Sequence, residues 1–385
     1  MKKNKNILLF TAMQFLFIFY FLLILIIYFL SIKQGNEGIG LKLFGGGDDG
    51  IFYWIQANNV ASGNEWIKTS IYPLIIGNVI KFFGIYNVII VRILNFFIFI
   101  FLIFLSLKVF EKQFFKKELE KIQNYKFLLL FLLFIYPSLI LNTTLSIYRD
   151  VWIYMLYMLS LLYSIKIFFL KEKNIKNIII LLFSIWLLGN FRDYILFSFL
   201  FSLLFYFLYK KIKMLKKNKV FFVTFLSLFS IYYTFFKNFK IPLINKSLLD
   251  GLNYRFYFLD TAYGGSQMFI NLDQSNFVLF FFNYIHSYIG NLIGPLPWHI
   301  SGISMLLLFF VESLPMILIL IYIFKNFRLL NNINKYLILN AFIWNGIIAI
   351  TNDNIGTTSR LRVISWIIFI LVFVYTKYKK KKEQI

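Results

Sequence analysis

From Ile7 to Leu30 the chain reads ILLFTAMQFLFIFYFLLILIIYFL, without a charged side chain. Such a run is too long for a strand. As an α-helix rising about 1.5 Å per residue, it reaches across the hydrocarbon of a bilayer. It is also too long for the apolar core of a signal peptide, and no small-x-small cleavage site follows, so it reads as a retained first span. The pattern then recurs along the chain. Apolar blocks place ten expected spans at about 7–31, 86–107, 127–147, 151–170, 176–190, 193–209, 219–237, 303–324, 336–352 and 362–378.

Composition closes off the alternatives. A soluble domain of 385 residues could not bury 60% hydrophobic and 22% aromatic side chains in one core. The expected fold is therefore all-α and polytopic, a single integral membrane domain over 1–385 in contact with a lipid bilayer. The net charge of +24 would suit nucleic acid, but most of the 40 Lys and Arg lie in short stretches between apolar blocks. There they set orientation, and no nucleic-acid partner is expected. KVFEKQFFKKELEKIQNYK, KKIKMLKKNK and the tail KYKKKKEQI all fall on one side, with both termini. Cations mark the cytosolic side, so both termini are expected there. An excess of Ile, Phe, Lys and Asn resembles low-GC bacterial coding, which suggests a bacterial cell membrane. With no cysteine, thiolate and disulfide chemistry are excluded.

This topology leaves two long outer loops, at about 32–85 and 238–302. Within the first, residues 50–62 read as a short helix with Asp49 as N-cap and Gly63 as terminator. Residues 71–83 form a second apolar segment, too short to span. In the second loop, FVLFFFNYIHSYIGNLIGPLPW is apolar but broken by glycine and proline. These segments are expected to lie along the outer membrane surface. Ten of the 16 acids also fall outside. The unusual polar groups thus converge on one face: Asp48–Asp49, Arg149–Asp150, Arg192–Asp193, Arg255, His286, GPLPWH and the loop TNDNIGTTSRLR.

Two carboxylates behind three glycines, GGGDDG, raise a specific question. A carboxylate at a helix start is stabilised by the helix dipole, and glycines allow a sharp turn. The continuation gives this stretch a family likeness. Asp49, Tyr53, Ala57 and Gly63, then Tyr72-Pro73-Leu74, Phe83-Gly84 and Arg92-x-x-Asn95, follow in order. In these features the first 50 residues after Asp48 resemble the first outer loop of GT-C fold glycosyltransferases, the superfamily of protein O-mannosyltransferases and aminoarabinose transferases. Those members usually carry Asp-Glu where this chain has Asp-Asp, which leaves the acceptor open. The resemblance implies a GT-C-like architecture and a polyprenyl-phosphate-linked sugar as donor. It implies a glycan or lipid acceptor outside the membrane, and a role for the loop acid as general base or in orienting the acceptor. On this likeness the catalytic candidates are Asp49 and, behind it, Asp48. No cofactor is firmly implied, although a divalent cation assists some members of the fold.

Glycosyl transfer also needs positive charge on the departing phosphate. Arginine suits this because its fork pairs two oxygens. Arg149, Arg192, Arg255, Arg360 and Arg362 are the candidates. Tyr53, Tyr72 and Trp298 are candidates to contact substrate, although tryptophan and tyrosine near span ends are first an interfacial belt. Glu312 lies in the middle of an apolar block, before Pro315. There it is functional, paired, or protonated and hydrogen-bonded to carbonyls that the proline frees. His286 and His299 identify no metal set. Two other classes fit the same pattern less well. One is a surface-polysaccharide repeat-unit polymerase or ligase, whose large loop usually comes late in the chain. The other is a lipid-linked glycan transporter, which would place its polar groups at mid-membrane.

Overall fold

The computed structural model describes residues 2–41, 49–211, 218–241, 245–261 and 266–384. Every regular element among them is helical, apart from isolated bridge contacts. A helix is found at each of the ten expected segments. Five are long and apolar enough to cross a membrane: Ile7–Lys33, Val88–Lys112, Asp150–Phe169, Ile303–Lys325 and Asn332–Thr351. The number reaches seven if each of two bent helix pairs counts as one span. This is an α-helical membrane protein.

The chain divides into two compact units. Unit 1 comprises Met1–Arg192, Asn326–Ile333 and Ile370–Ile385; unit 2 comprises Asp193–Lys325 and Asn334–Phe369.

In unit 1, α1 (Lys2–Lys33) and α4 (Val88–Lys112) pair through stacked rings, Tyr20 on Phe99 at 4.4 Å. Asn87 caps α4 by accepting from the Ile89 amide at 2.9 Å, and the same oxygen accepts from Tyr28 of α1. One short polar side chain thus stops one helix and ties it to another. Between them run α2 (Asp49–Ser62) and α3 (Tyr72–Phe83), which pack together as a hairpin. Asp49 is the first described residue of α2 and lies in its first turn; Asp48 before it lies outside the described residues. Gly63 ends α2 as expected. It adopts φ +75°, and the Asn64 and Gly63 amides bond back to Asn59 and Val60, a left-handed termination that favours glycine.

The expected span 127–147 is broken. It forms α5 (Gln123–Phe134) and α6 (Pro137–Thr144), bent by 61°. Pro137 disfavours helical geometry at Tyr136, which has ψ 106°. Next come α7 (Asp150–Ser164), which continues into a π turn at Ile165–Phe169, and α8 (Ile175–Phe191), capped by Asn174. The C-terminal part of α17 (Val363–Glu383) belongs to this unit, where Lys379 and Lys382 both bond Glu118.

Unit 2 contains α9 (Asp193–Lys211), α10 (Asn218–Phe236), α11 (Leu248–Thr261) and α12 (Phe277–Ile293). They are followed by α13 (Ile303–Leu308), a π turn at Phe309–Ser313, α14 (Leu314–Lys325), α15 (Asn332–Thr351) and α16 (Ile355–Leu361). Helix α11 has no counterpart in the sequence reading, because its apolar and polar residues do not separate into a clear stripe. Pro315 has no amide hydrogen to continue the ladder, and the helix widens into the π turn just before it. The polar stretch TNDNIGTTSRLR is not a plain turn. It forms α16, capped by Asn354, and α16 meets α17 at a 55° bend.

Candidate functional site

In unit 1 the sequence candidates gather around Tyr53. The buried face of α2 is Tyr53, Ala57 and Ala61, spaced four apart, and it meets α3. The approach is close because α3 carries Gly77. A Cβ there would lie 2.6 Å from Val60 and 2.7 Å from the Ala57 carbonyl. This brings the Tyr53 and Tyr72 rings edge to face at 5.3 Å. Asp49, half-buried, lies one turn before Tyr53 on the same helix. Asp48 and the three glycines before it lie outside the described residues.

Tyr72 is fully buried and anchors the hairpin. Its hydroxyl donates to the Ile147 carbonyl at 3.0 Å and accepts from Asn95 Nδ2 at 3.0 Å. The Asn95 amide oxygen accepts from Trp152 Nε1 at 2.8 Å. Every polar atom in this chain of bonds is used consistently, so it fixes α3 against α4 and α7. Tyr72 therefore acts as a support for the site. Burial raises the ionisation of its hydroxyl far above the ordinary tyrosine value.

Arg92 works the same way. It is buried, and its guanidinium donates to the carbonyls of Gly38, Ile39 and Thr144 at 2.7–3.0 Å. The Arg92-x-x-Asn95 pair thus holds the chain after α1 and the α6–α7 link to α4. Spacing i, i+3 was enough to put both residues on one helix face, but nothing in the sequence named their partners.

Arg149 and Arg192 reach the same neighbourhood by different routes. The Arg149 guanidinium stands 5.5 Å from the Tyr53 ring centre, and Nη1 donates to the Phe191 carbonyl at 3.2 Å. Its Nε makes no hydrogen bond among the described residues. Arg192 pairs with Asp150 at 3.4 Å. The two Arg-Asp dipeptides are therefore cross-linked: the arginine of the second pairs with the acid of the first. Consecutive antiparallel helices place the start of the first beside the end of the second, and the dipeptides stand at the start of α7 and the end of α8. That symmetry was a legible signal for a pairing that the sequence reading did not make. Asp193 takes another partner, Lys246, within unit 2.

The charges of Arg149, Asp49, Arg192 and Asp150 all act on Tyr53. Its hydroxyl is pushed up to about 12, first by burial, against the opposing pull of Arg149. It is neutral at physiological pH and is no base. With Asp150 and Arg192 paired, the other two charges that act on Tyr53 are Asp49 and Arg149.

The unit 2 candidates are placed differently. Arg255 is 1% exposed. It pairs with Asp353 and donates to the carbonyls of Ile270, Ala349 and Asn352 and to Ser287 Oγ. Burial lowers Arg255 to about 10 and raises Asp353, each against the pull of the other. Asp353 also accepts from the Phe269 and Ile270 amides. Its carboxylate joins α11, the 266–270 segment and the α15–α16 link.

Arg362 is completely buried. It bonds Glu312 through Nε at 3.1 Å and through Nη2, and it donates to the Gly294 carbonyl. Glu312 therefore has an arginine as its partner, the paired state expected of an acid at that depth. The guanidinium forks of Arg255 and Arg362, expected on a phosphate, are taken up by protein. Arg360 is half-buried on α16. Trp298 is 67% exposed and donates from Nε1 to His286 Nε2 at 2.9 Å. His286 and His299 face each other at 3.3 Å, and burial, with His286 beside it, lowers His299 to about 4. Among the described residues no group of three or more His, Asp or Glu is arranged to hold a metal ion.

Searches of family models, curated proteins and solved structures found no match to this chain.

Proposed function

We propose that this protein is a membrane glycosyltransferase of GT-C-like design. It spans a bacterial cell membrane ten times, with cytoplasmic termini. It takes a sugar from a polyprenyl-phosphate carrier and passes it to a glycan or lipid acceptor on the outer face. Asp49 is the general base for the acceptor hydroxyl, and Arg149 meets the charge that grows on the departing phosphate. Transfer is a direct displacement: the acceptor oxygen bonds the anomeric carbon as the carbon–phosphate-oxygen bond breaks. Asp49 takes the acceptor proton, and the carrier phosphate leaves with the electron pair.

The observation that carries this reading is the gathering of Asp49, Arg149 and the Arg192–Asp150 pair around one buried tyrosine in unit 1. These residues come from stretches a hundred positions apart, and they include the acid-aromatic-small pattern of the first loop.

The test uses purified protein in lipid and a panel of radiolabelled polyprenyl-phosphate sugars. Wild type is expected to consume one of them, by transfer or slow hydrolysis. Asp49→Asn should lower that rate about 10²–10⁴-fold, the usual contribution of a positioned base. If no such sugar is consumed but repeat units on a pyrophosphate carrier are joined, the reading gives way to a polysaccharide polymerase.

A further inference from the structure

The opposite end of α4, α7 and α8 in unit 1 collects positive charge. Lys108 and Lys112 lie four apart on α4, so they share a face. Lys166 sits in the π turn that ends α7, and Lys176 in the first turn of α8. Lys108, Lys112 and Lys176 are all within electrostatic reach of Lys166, together with one carboxylate, Glu172. Glu172 lies 3.3 Å from Lys112 Nζ. Lys166 Nζ stands 4.4 Å from the Tyr163 ring centre.

The link that brings these groups together is firmly built. The Glu172 amide bonds the Lys166 carbonyl at 2.9 Å, and Asn177 Nδ2 bonds the Glu172 carbonyl at 2.8 Å. Between them Lys171 takes a left-handed φ of 61°, a conformation that L side chains rarely adopt. Four ammonium groups held beside one carboxylate repel one another, and an anion among them relieves that repulsion. The Glu118 cluster in the same unit has a smaller excess of cations, with one carboxylate taken by two lysines.

The surface next to the lysines is apolar and exposed. On α8, Ile179 and Phe183 follow Lys176 at i+3 and i+7. On α4, Phe104 and Phe101 precede Lys108 at i−4 and i−7. Each helix thus presents a cation at its end and an open apolar stripe on the same face. A ligand that fits both features has a phosphate head and hydrocarbon chains.

We propose that the Lys108, Lys112, Lys166 and Lys176 cluster binds the phosphate headgroup of an anionic membrane lipid, whose chains lie along the exposed stripes of α4 and α8. This stands apart from the transferase reading and does not depend on it. Basic pockets between spanning helices recognise lipid phosphates in this way. A free phosphate would satisfy the lysines but leave the stripes unused.

Native mass spectrometry of protein released from mixed phosphatidylglycerol and phosphatidylcholine micelles tests the proposal. Wild type is expected to retain phosphatidylglycerol at least tenfold over phosphatidylcholine. The double variant K108Q/K176Q, both exposed positions, should fall to near parity. The matched-charge variant K380Q/K381Q should keep the preference. Retention unchanged in K108Q/K176Q overturns the proposal, as does equal loss in K380Q/K381Q, which would make the effect one of net charge. Displacement of the lipid by millimolar glycerol phosphate also overturns it, in favour of a soluble phosphate ligand.

Discussion

Arg149 in unit 1 and Arg362 in unit 2 are the same residue type, each near the end of an expected span, yet they do opposite things. Arg362 is completely enclosed and gives its fork to Glu312 and the Gly294 carbonyl. Arg149 is half-buried, rests over the Tyr53 ring and donates to one carbonyl. The first is a fastener whose energy is spent inside the fold. The second keeps donor capacity for something outside it. Burial and partner count, not residue type, separate a structural arginine from one that can meet a phosphate.

The sharpest way to break this comparison is to remove each arginine in turn. Arg362→Ala leaves Glu312 buried without its cation. It should cost about 3–5 kcal/mol of stability, read as a large drop in thermal unfolding temperature in detergent. The double variant E312L/R362L should recover most of that loss, because breaking a buried pair costs more than replacing it with packed apolar groups. If Arg362→Ala is as stable as wild type, the fastener reading fails.

Arg149→Ala should leave the stability within about 1 kcal/mol of wild type, since the half-buried side chain donates to a single carbonyl. Donor consumption should nevertheless fall about 10²–10³-fold, the cost of removing one preorganised donor from a developing oxyanion. The opposite pattern, stable activity with lost stability, would move Arg149 to the fasteners.

A smaller effect tests the scaffold of the site. Gly77→Ala pushes a methyl group against Val60 and the Ala57 carbonyl. About 1–3 kcal/mol of overpacking strain is expected, together with reduced donor consumption as the α2–α3 hairpin shifts Tyr53. Gly63→Ala is a useful partner: nothing crowds that position, so its cost comes from φ +75° alone.

The smallest effect is acid dependence in unit 2. His299 is held down to about 4 from an ordinary value of 6.5. A group lowered by folding contributes stability above its unfolded value and loses it as pH falls through the folded one. Wild type should therefore lose stability between about pH 6.5 and pH 4. His299→Gln should flatten that part of the curve in thermal unfolding measured across pH.

Much of the architecture was legible before any coordinates. Long apolar runs have one solution in a bilayer, so the helices at the ten apolar segments follow from nearby residues, whereas the asparagine caps at Asn87, Asn174, Asn276 and Asn354 and helix α11 were not read. The proximity of Asp49 and Tyr53 was legible for the same reason, because residues four apart share a helix face. Tertiary structure alone decided which charges meet. The Arg192–Asp150, Arg255–Asp353 and Arg362–Glu312 pairs join residues 42, 98 and 50 positions apart. No local propensity encodes such distances. A charge in an apolar chain needs a partner when buried, but which partner it finds depends on how the helices pack.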